Sequence, residues 1–248
     1  MNVSLYQAAA AMSAQNRWQE VIAENLSAAS VPGYKKQDVA FSAFEAGMMP
    51  PTGPGAANHY SLPHATSQTD YRQGDIRFTG APTDMAIDGQ GFFEVQMPDG
   101  QSAYTRDGQF HVDNQGQLVT KEGYSVMGQG GPIRLDRAIQ GEIHVSPTGE
   151  ISKGTTPVGK LRIMTFADTS QIATIGGGWF VPADKTVQPQ EVANPSVRQK
   201  FIEGSNTSTI TEMTDLITSM RAFEANQKVI QTQDERMGKT IQELGSPS

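Results

Sequence analysis

The feature that most constrains this fold is a long helical pattern from residue 206 to residue 244. Apolar residues recur there at steps of three and four, the spacing of one face of an α-helix. Thr209 with Glu212 has the form of a capping box, and Gly245 followed by Pro247 ends the pattern. Such a helix extends about 50 Å at 1.5 Å per residue, which is too long for an ordinary globular domain of this size. Its apolar stripe must therefore find a partner outside a compact core. The stripe consists of Ile210, Met213, Leu216, Ile217, Met220, Phe223, Val229, Ile230, Met237, Ile241 and Leu244.

A second helical pattern lies at the other end of the sequence, from Ser4 to about Ser27. Ser4 with Gln7 again fits a capping box. Val31 precedes Pro32, and a residue before proline is pushed out of helical space, so the helix ends there. Two helices at opposite ends, each with one apolar stripe, predict a paired stalk that closes the chain on itself. Two unrelated surface helices are the alternative.

Composition narrows the classes of protein that the chain can be. The length of 248 residues allows one large or two ordinary domains, and 25 glycines with 14 prolines predict abundant turns. The net charge of −7 and the lack of a long basic run argue against nucleic acid or an anionic membrane as the main partner. No stretch approaches 18 consecutive apolar residues, so we expect no membrane insertion. We also expect no cleaved signal peptide, because no basic region precedes an apolar segment at the N-terminus. The absence of cysteine excludes disulfides and thiolate chemistry.

Short alternating segments separated by turn signals fill the middle of the sequence and predict an antiparallel meander or small barrel. The sequence thus predicts five segments. They are residues 1–44, the first helix of a discontinuous helical domain; 45–73, a Pro/Gly-rich arm or linker; 74–181, a β-rich domain; 182–204, a return segment; and 205–248, the second helix of the helical domain.

A search for chemistry finds no catalytic, cofactor-binding or metal-ligating constellation. Gly89-Gln90-Gly91 resembles part of a nucleotide fingerprint, but a strand-like Phe92-Phe93 follows where a helix N-terminus would be needed, so we predict a tight turn. The aspartates in or near predicted turns are expected to bond their own backbone two residues on. These aspartates are Asp84, Asp88, Asp99, Asp107 and Asp113. His59 and His64 lack a neighbouring carboxylate cluster and are not expected to bind metal.

Three blocks of the sequence resemble the axial proteins of the bacterial flagellum, namely the basal-body rod and hook proteins. The first block is residues 21–26 leading to Pro32-Gly33-Tyr34-Lys35. The second runs from Pro82 to Phe93 and continues through Tyr104-Thr105-Arg106-Asp107-Gly108 to Tyr124. The third joins Glu203-Gly204-Ser205-Asn206 to residues 221–228. Residues 25–31 and Thr207 depart from the family's usual pattern, which bears on the exact family member. The proximal-rod type is most similar and the distal-rod type is the alternative.

The resemblance implies a structural rod subunit with no enzymatic activity and no cofactor. Its implied fold class is α+β, with long N- and C-terminal helices paired as a coiled-coil-like inner domain enclosing a β-rich outer domain. It implies self-assembly through the terminal helices into a helical tube that transmits torque across the periplasm. The implied partners are copies of itself, other rod and hook proteins, and the flagellar export apparatus that secretes it unfolded. The predicted assembly contacts are Leu5, Met12, Ile22, Leu26, Met213, Ile217, Met220, Phe223 and Ile230. Alternatives are a hook-type axial protein, a soluble coiled-coil adaptor, and a cell-envelope β-domain enzyme or carbohydrate-binding protein.

Overall fold

The computed structural model describes residues 3–46, 60–136, 138–184 and 186–245. For residues 3–7, 43–46, 60–64, 240, 241 and 243–245 the structure describes the backbone alone. Helix α1 spans Val3–Ser27 and helix α2 spans Thr209–Gly245, in agreement with the two helical patterns of the sequence. Neither of these helices is apolar enough over a sufficient length to cross a membrane.

The chain divides into two compact units, each assembled from separate stretches of sequence. The helical unit comprises Met1–Ser27, Gln37–Gln68 and Ser208–Ser248. The sheet unit comprises Ala28–Lys36 and Thr69–Thr207. Both units therefore join residues that are far apart in sequence. The five predicted segments follow different boundaries, and their division of the chain stays a prediction.

The helical unit contains strands as well as helices. Strand β1 (Gln37–Ala46) and strand β2 (Tyr60–Thr69) form a two-stranded sheet. Within this unit Trp18 of α1 meets Phe41 of β1 edge-on, with ring centroids 5.7 Å apart. All of β2 lies in the stretch 45–73 predicted as an arm. Residues 47–59 of that stretch, which include His59, and the side chain of His64 lie outside the described part of the chain.

The predicted fold class is wrong, because it has the two helices paired as a coiled-coil-like domain that encloses the β-rich domain. A coiled coil requires a continuous apolar seam between its helices. The side chain of Asn25 instead bonds Glu212, and that of Gln15 bonds the backbone of Ser219, so polar groups lie between α1 and α2. Much of the predicted stripe of α2 is exposed, and the helices share their unit with β1 and β2.

The sheet unit is antiparallel throughout its described pairings. Its strands are β3 (Ile76–Phe78), β4 (Met85–Ile87), β5 (Phe92–Gln96), β6 (Ser102–Thr105), β7 (His111–Val112), β8 (Leu118–Val119), β9 (Ser125–Gly128), β10 (Gly131–Pro132), β11 (Ile143–Val145), β12 (Glu150–Lys153), β13 (Thr156–Lys160), β14 (Ile163–Thr165), β15 (Ile172–Gly176), β16 (Trp179–Pro182), β17 (Gln190–Glu191), β18 (Val197–Gln199) and β19 (Phe201–Glu203). The largest sheet follows the order β15-β16-β6-β5-β9-β8-β7, with β14 also paired to β5, β10 to β9, and β17 to β14. Smaller sheets pair β11-β12-β13, β18-β4 and β19-β3. A 3-10 helix spans Thr169–Gln171.

The core of the sheet unit comes from the inward faces of these strands. Phe93 on β5 and Val126 on β9 are fully buried, and Phe93 contacts Phe110 edge-on at 5.1 Å between ring centroids. A second cluster packs Phe92 against Phe180, with ring centroids 5.4 Å apart. Strand β5 is therefore buried on both faces, with Phe93 in the first cluster and Phe92 in the second.

The turn chemistry predicted for the aspartates is confirmed at three of them. The carboxylates of Asp99, Asp107 and Asp113 each accept a hydrogen bond from the backbone N–H two residues later, at 3.0, 2.9 and 2.7 Å. Asp88 differs, because its carboxylate pairs with Arg198 at 2.5 Å. Gly89 and Gly91 both have positive φ, as the predicted tight turn before β5 requires.

Candidate assembly surface and buried charge cluster

Helix α2 presents two distinct faces in its first half. Glu212 and Ser219 are buried, and they lie two turns apart on one face. Ile210 and Ile217 are 81% and 54% exposed, and they lie about 160° from Glu212 and Ser219 respectively, given about 100° per residue. The predicted stripe also included Phe223, which is half-buried and lies about 140° around the helix from Ile210, so it combined residues from more than one face.

The exposed face forms a continuous apolar surface, which we call the α2 stripe. It consists of Ile210, Met213, Ile217 and Met220, at steps of three, four and three residues. Met213 and Met220 are 50% and 51% exposed. Four large apolar side chains in adjacent turns of one helix are more than a scatter of single exposed residues, and contiguous patches of this kind mark interaction sites.

The structure distributes the predicted assembly contacts over three environments. Met213, Ile217 and Met220 lie on the exposed α2 stripe. Ile22 is 2% exposed and belongs to the interior of the helical unit. Met12, Leu26, Phe223 and Ile230 are half-buried, and the side chain of Leu5 lies outside the described residues. Ile210 was not among the predicted contacts, although it is the most exposed member of the stripe.

A polar junction holds the helical unit together at the end of α1. The Asn25 side chain, 1% exposed, accepts from Gln37 N–H at 2.9 Å and donates to Gln37 C=O at 2.8 Å. Its amide nitrogen also donates to Glu212 Oε2 at 3.2 Å. One amide thereby joins the end of α1, the start of β1 and the first turn of α2.

The N-cap of α2 is Ser208, one residue before the predicted Thr209, since Ser208 C=O accepts from Glu212 N–H at 3.0 Å.

In the sheet unit, Glu203 is the centre of a buried charge cluster. Its carboxylate pairs with Lys35 Nζ at 2.5 Å and with Arg106 Nη1 at 3.0 Å, and the side-chain exposures are 0%, 0% and 5% for Glu203, Lys35 and Arg106. Lys35 Nζ also donates to Arg72 C=O at 2.7 Å, and Arg106 Nη2 to Gly89 C=O at 2.6 Å. Each cation thus bonds both a carboxylate and a carbonyl, although the buried Nε of Arg106 has no hydrogen-bond partner among the described residues.

Burial sets the electrostatics of this cluster. It lowers the pKa of Lys35, and Glu203 opposes that shift by favouring the charged ammonium. Burial also lowers the pKa of Arg106, again opposed by Glu203. The cations lie in a low-dielectric environment where the carboxylate is their necessary counter-charge. The cluster has the character of a structural ion network, not of an acid–base pair facing a cleft.

Asn206 joins separate chain segments in the sheet unit through its side-chain amide, as Asn25 does in the helical unit. Its Oδ1 accepts from Lys36 N–H at 2.7 Å, while its Nδ2 donates to Asp70 C=O at 2.8 Å and to Arg72 C=O at 3.2 Å. Three chain segments meet at this side chain. Both Asn25 and Asn206 therefore bond backbone groups that are distant in the sequence.

The charge cluster was missed by sequence reasoning, although its members lie in the three blocks that carry the flagellar resemblance. Lys35 belongs to the first block, Arg106 to the second and Glu203 to the third. The one sequence feature that could have indicated the cluster is that Lys35, Arg106 and Glu203 each lie next to a glycine-containing motif. Within the described part of the chain, no three histidine, aspartate or glutamate residues are grouped as metal ligands.

The structure has two terminal helices, an exposed apolar stripe on one of them, and an antiparallel sheet unit held together by buried ion pairs. These features are typical of a structural protein that assembles into a larger complex. Family comparisons give the particular class. Residues 86–153 match the family described as flagellar hook protein FlgE/F/G D1 domain, and residues 198–243 match the flagellar basal body rod FlgEFG protein C-terminal family.

Curated relatives match nearly the whole chain. The flagellar basal-body rod protein FlgG of Borreliella burgdorferi is 32% identical, over 95% of this chain and 96% of the relative. FlgF of Salmonella typhimurium is 33% identical, over 98% and 99% respectively. FlgG of Agrobacterium fabrum is 34% identical, over 92% and 94%. The chain belongs to the flagellar basal-body rod protein family and is a structural subunit of the rod of the bacterial flagellar basal body. Relatives of both names are similarly close, so the choice between proximal and distal rod stays a prediction.

Proposed function

We propose that this rod subunit self-assembles through its terminal helices into a helical tube that transmits torque across the periplasm. The observation that carries the proposal is the α2 stripe, which exposes Ile210, Met213, Ile217 and Met220. Burying one such side chain completely contributes about 1.5–3 kcal/mol. Repeated at every subunit, contacts of this size would make the assembly stiff.

The proposed contacts to neighbouring subunits are centred on Met213, Ile217 and Met220, with Leu5, Met12, Leu26, Phe223 and Ile230 at their margins. Ile22 contributes from the interior by supporting α1. The neighbours are other copies of the chain and other rod or hook proteins of the flagellar axis. The proposal includes secretion of the unfolded chain by the flagellar export apparatus, no enzymatic activity, and no nucleic-acid partner.

The experiment introduces a charge on the stripe and a matched charge elsewhere on the same helix. Ile217→Asp places a carboxylate at the middle of the stripe. Val229→Asp is the control, because Val229 is 49% exposed but lies about 120° around the helix from Ile217. Each variant replaces the native gene, and swimming in soft agar and the amount of the chain in isolated basal bodies are measured.

We expect Ile217→Asp to abolish swimming and to remove the chain from basal bodies, while Val229→Asp retains both. Far-UV circular dichroism of the purified proteins should be unchanged for both, because both positions are exposed in the single chain. Normal swimming of the Ile217→Asp strain would contradict assembly through the stripe. Absence of the native chain from basal bodies would contradict the proposal as a whole.

A further inference from the structure

The sheet unit has an exposed aromatic feature of its own, on the ribbon formed by β3 and β19. Phe78 is directly opposite Phe201 in the antiparallel register, and their rings meet edge-on with centroids 5.2 Å apart. Phe78 is 68% exposed, the highest value for any aromatic side chain that the structure describes. We call this pair the aromatic ridge. A large aromatic ring held by a neighbour yet open to water is a typical interface anchor.

The ridge is rigidly supported. Glu203, the centre of the buried charge cluster, lies on the same strand as Phe201, and Gly204 N–H donates to Asp75 C=O at 2.8 Å beside β3. The strand that carries Phe201 is therefore fixed by two buried ion pairs. A rigid anchor loses little conformational entropy on binding.

Lys200 lies immediately before Phe201 in an uncommon backbone conformation. Its φ is +66°, and it is the one non-glycine residue with positive φ in the described part of the chain. Its carbonyl accepts from Thr79 N–H at 2.9 Å, and its N–H donates to Asp84 C=O at 2.8 Å, which holds the turn. Glycine would adopt this conformation at lower cost, so a lysine here points to a use for the side chain. Lys200 is exposed and forms no ion pair with any described residue.

The α2 stripe has a charge of the opposite sign at its end. Glu224 follows Met220 by four residues, which places it on the same side of the helix one turn further on. It is exposed and, within the described ranges, has no ion-pair partner. An aromatic ridge next to a free cation and an apolar stripe next to a free carboxylate are complementary in both polarity and charge.

We propose that the aromatic ridge of one subunit docks on the α2 stripe of a second copy, with Lys200 facing Glu224. The inference rests on the proposed function, since it names the partner of the stripe. Ridge and stripe are different patches of the chain, so the contact is heterologous, and such a contact repeated from copy to copy builds an open helix when its rotation does not close a ring. That is the geometry that a helical tube requires.

The first test is a charge exchange. Lys200→Glu and Glu224→Lys should each lower the amount of the chain in isolated basal bodies about tenfold, because each places like charges across the contact. A chain carrying both changes restores opposite charges and should recover most of the loss. Lys200→Gly controls for the backbone, since it relieves the positive φ and removes the charge; it should lower incorporation while leaving thermal unfolding no earlier than in the native chain. No rescue in the double variant would overturn the pairing.

The second test uses the absence of cysteine from the chain. Cells co-express one copy with Phe78→Cys and one with Ile217→Cys, and isolated basal bodies are treated with a short bismaleimide. We expect covalent dimers of this pair. Ile175→Cys replaces Phe78→Cys as the control, because Ile175 is 53% exposed in the sheet unit but lies off the ridge. It should give no dimers with Ile217→Cys.

The possible outcomes separate the alternatives. Dimers between two Ile217→Cys copies, or an adduct of Ile217→Cys with a different axial protein, would overturn the ridge as the occupant of the stripe. So would the lack of any adduct in basal bodies that contain both variants. If neither variant nor the native chain is found in basal bodies, the proposed function fails first.

Discussion

The side-chain amide of Asn25 bonds both the N–H and the C=O of Gln37, twelve residues later, as a neighbouring strand would. The same side chain reaches Glu212 in α2. A single buried residue therefore fixes where α1 ends, where β1 begins and how the first turn of α2 packs.

Replacing Asn25 by alanine should destabilise the helical unit by about 2–3 kcal/mol, because the buried backbone groups of Gln37 lose their partner. The chain has one tryptophan in each unit, Trp18 and Trp179. Urea unfolding followed by Trp18 fluorescence in a Trp179→Phe background measures the effect. Gln15→Ala is the control, since its bond to Ser219 C=O is long, at 3.4 Å, and its loss should cost less than about 1 kcal/mol. Equal costs for the two variants would contradict the role of Asn25.

Glu203→Gln should destabilise the sheet unit by about 3–5 kcal/mol, because it leaves Lys35 and Arg106 buried without a counter-charge. Trp179 fluorescence in a Trp18→Phe background follows the transition. The matched control is Asp88→Asn, which breaks the exposed ion pair with Arg198 and should change stability by no more than about 1 kcal/mol. A loss below about 1 kcal/mol for Glu203→Gln would show that the cluster contributes little.

The stability of the sheet unit should depend on pH through Asp107. Burial raises the pKa of Asp107 to about 6 from an ordinary value of 3.8. Below about pH 4 the carboxyl is protonated in both states, and it imposes no penalty. Between the two values the unfolded chain ionises first, so stability falls as pH rises, and above pH 6 the penalty is complete.

Asp107→Asn should therefore raise the free energy of unfolding above pH 6, by at most about 3 kcal/mol, and leave it unchanged below pH 4. The asparagine oxygen can still accept from Gln109 N–H, so the turn is kept. Chemical denaturation at pH 3.5, 5 and 7.5, roughly spanning the two pKa values, is the measurement. A gain that is equal at all three values would mean that ionisation is not the cause.

Gly33 should tolerate no side chain. Its φ is +69°, and a Cβ would lie 2.3 Å from both the carbonyl carbon of Arg106 and the amide nitrogen of Asp107. Gly33→Ala should cost more than about 3 kcal/mol or prevent folding. Gly100, with φ of +82° and open space around it, is the control, and Gly100→Ala should cost only about 1–2 kcal/mol from the backbone. Thermal unfolding of the two variants compares them, and similar midpoints would refute the steric argument.

Local patterns in the sequence predicted local structure well. Both helices follow from apolar spacing and from Pro32, and the turns at Asp99 and Asp113 follow from side-chain bonds that reach only two residues. These features depend on neighbours along the chain, so the sequence carries them directly.

Contacts between residues far apart in the sequence could not be predicted from local patterns. Steps of three and four residues let an apolar pattern drift around the helix, so Ile210 and Phe223, about 140° apart, were assigned to one stripe although Ile210 is exposed and Phe223 is half-buried. The pairing of Lys35 with Glu203 joins residues 168 positions apart, and no spacing rule connects them. The polar groups between α1 and α2 could not be distinguished from surface residues, which is why a coiled-coil-like pair was wrongly predicted.

The order of the chain has a consequence for its synthesis. Lys35 and Arg106 are made long before Glu203, and the helical unit lacks α2 until residues 209–245 have been added. A nascent chain on the ribosome therefore has two cations without their counter-ion and one helix without its companion. The sheet unit cannot close until Glu203 has been made, and the helical unit cannot close until α2 has been made, so the growing polypeptide stays open for most of the time that it is being made.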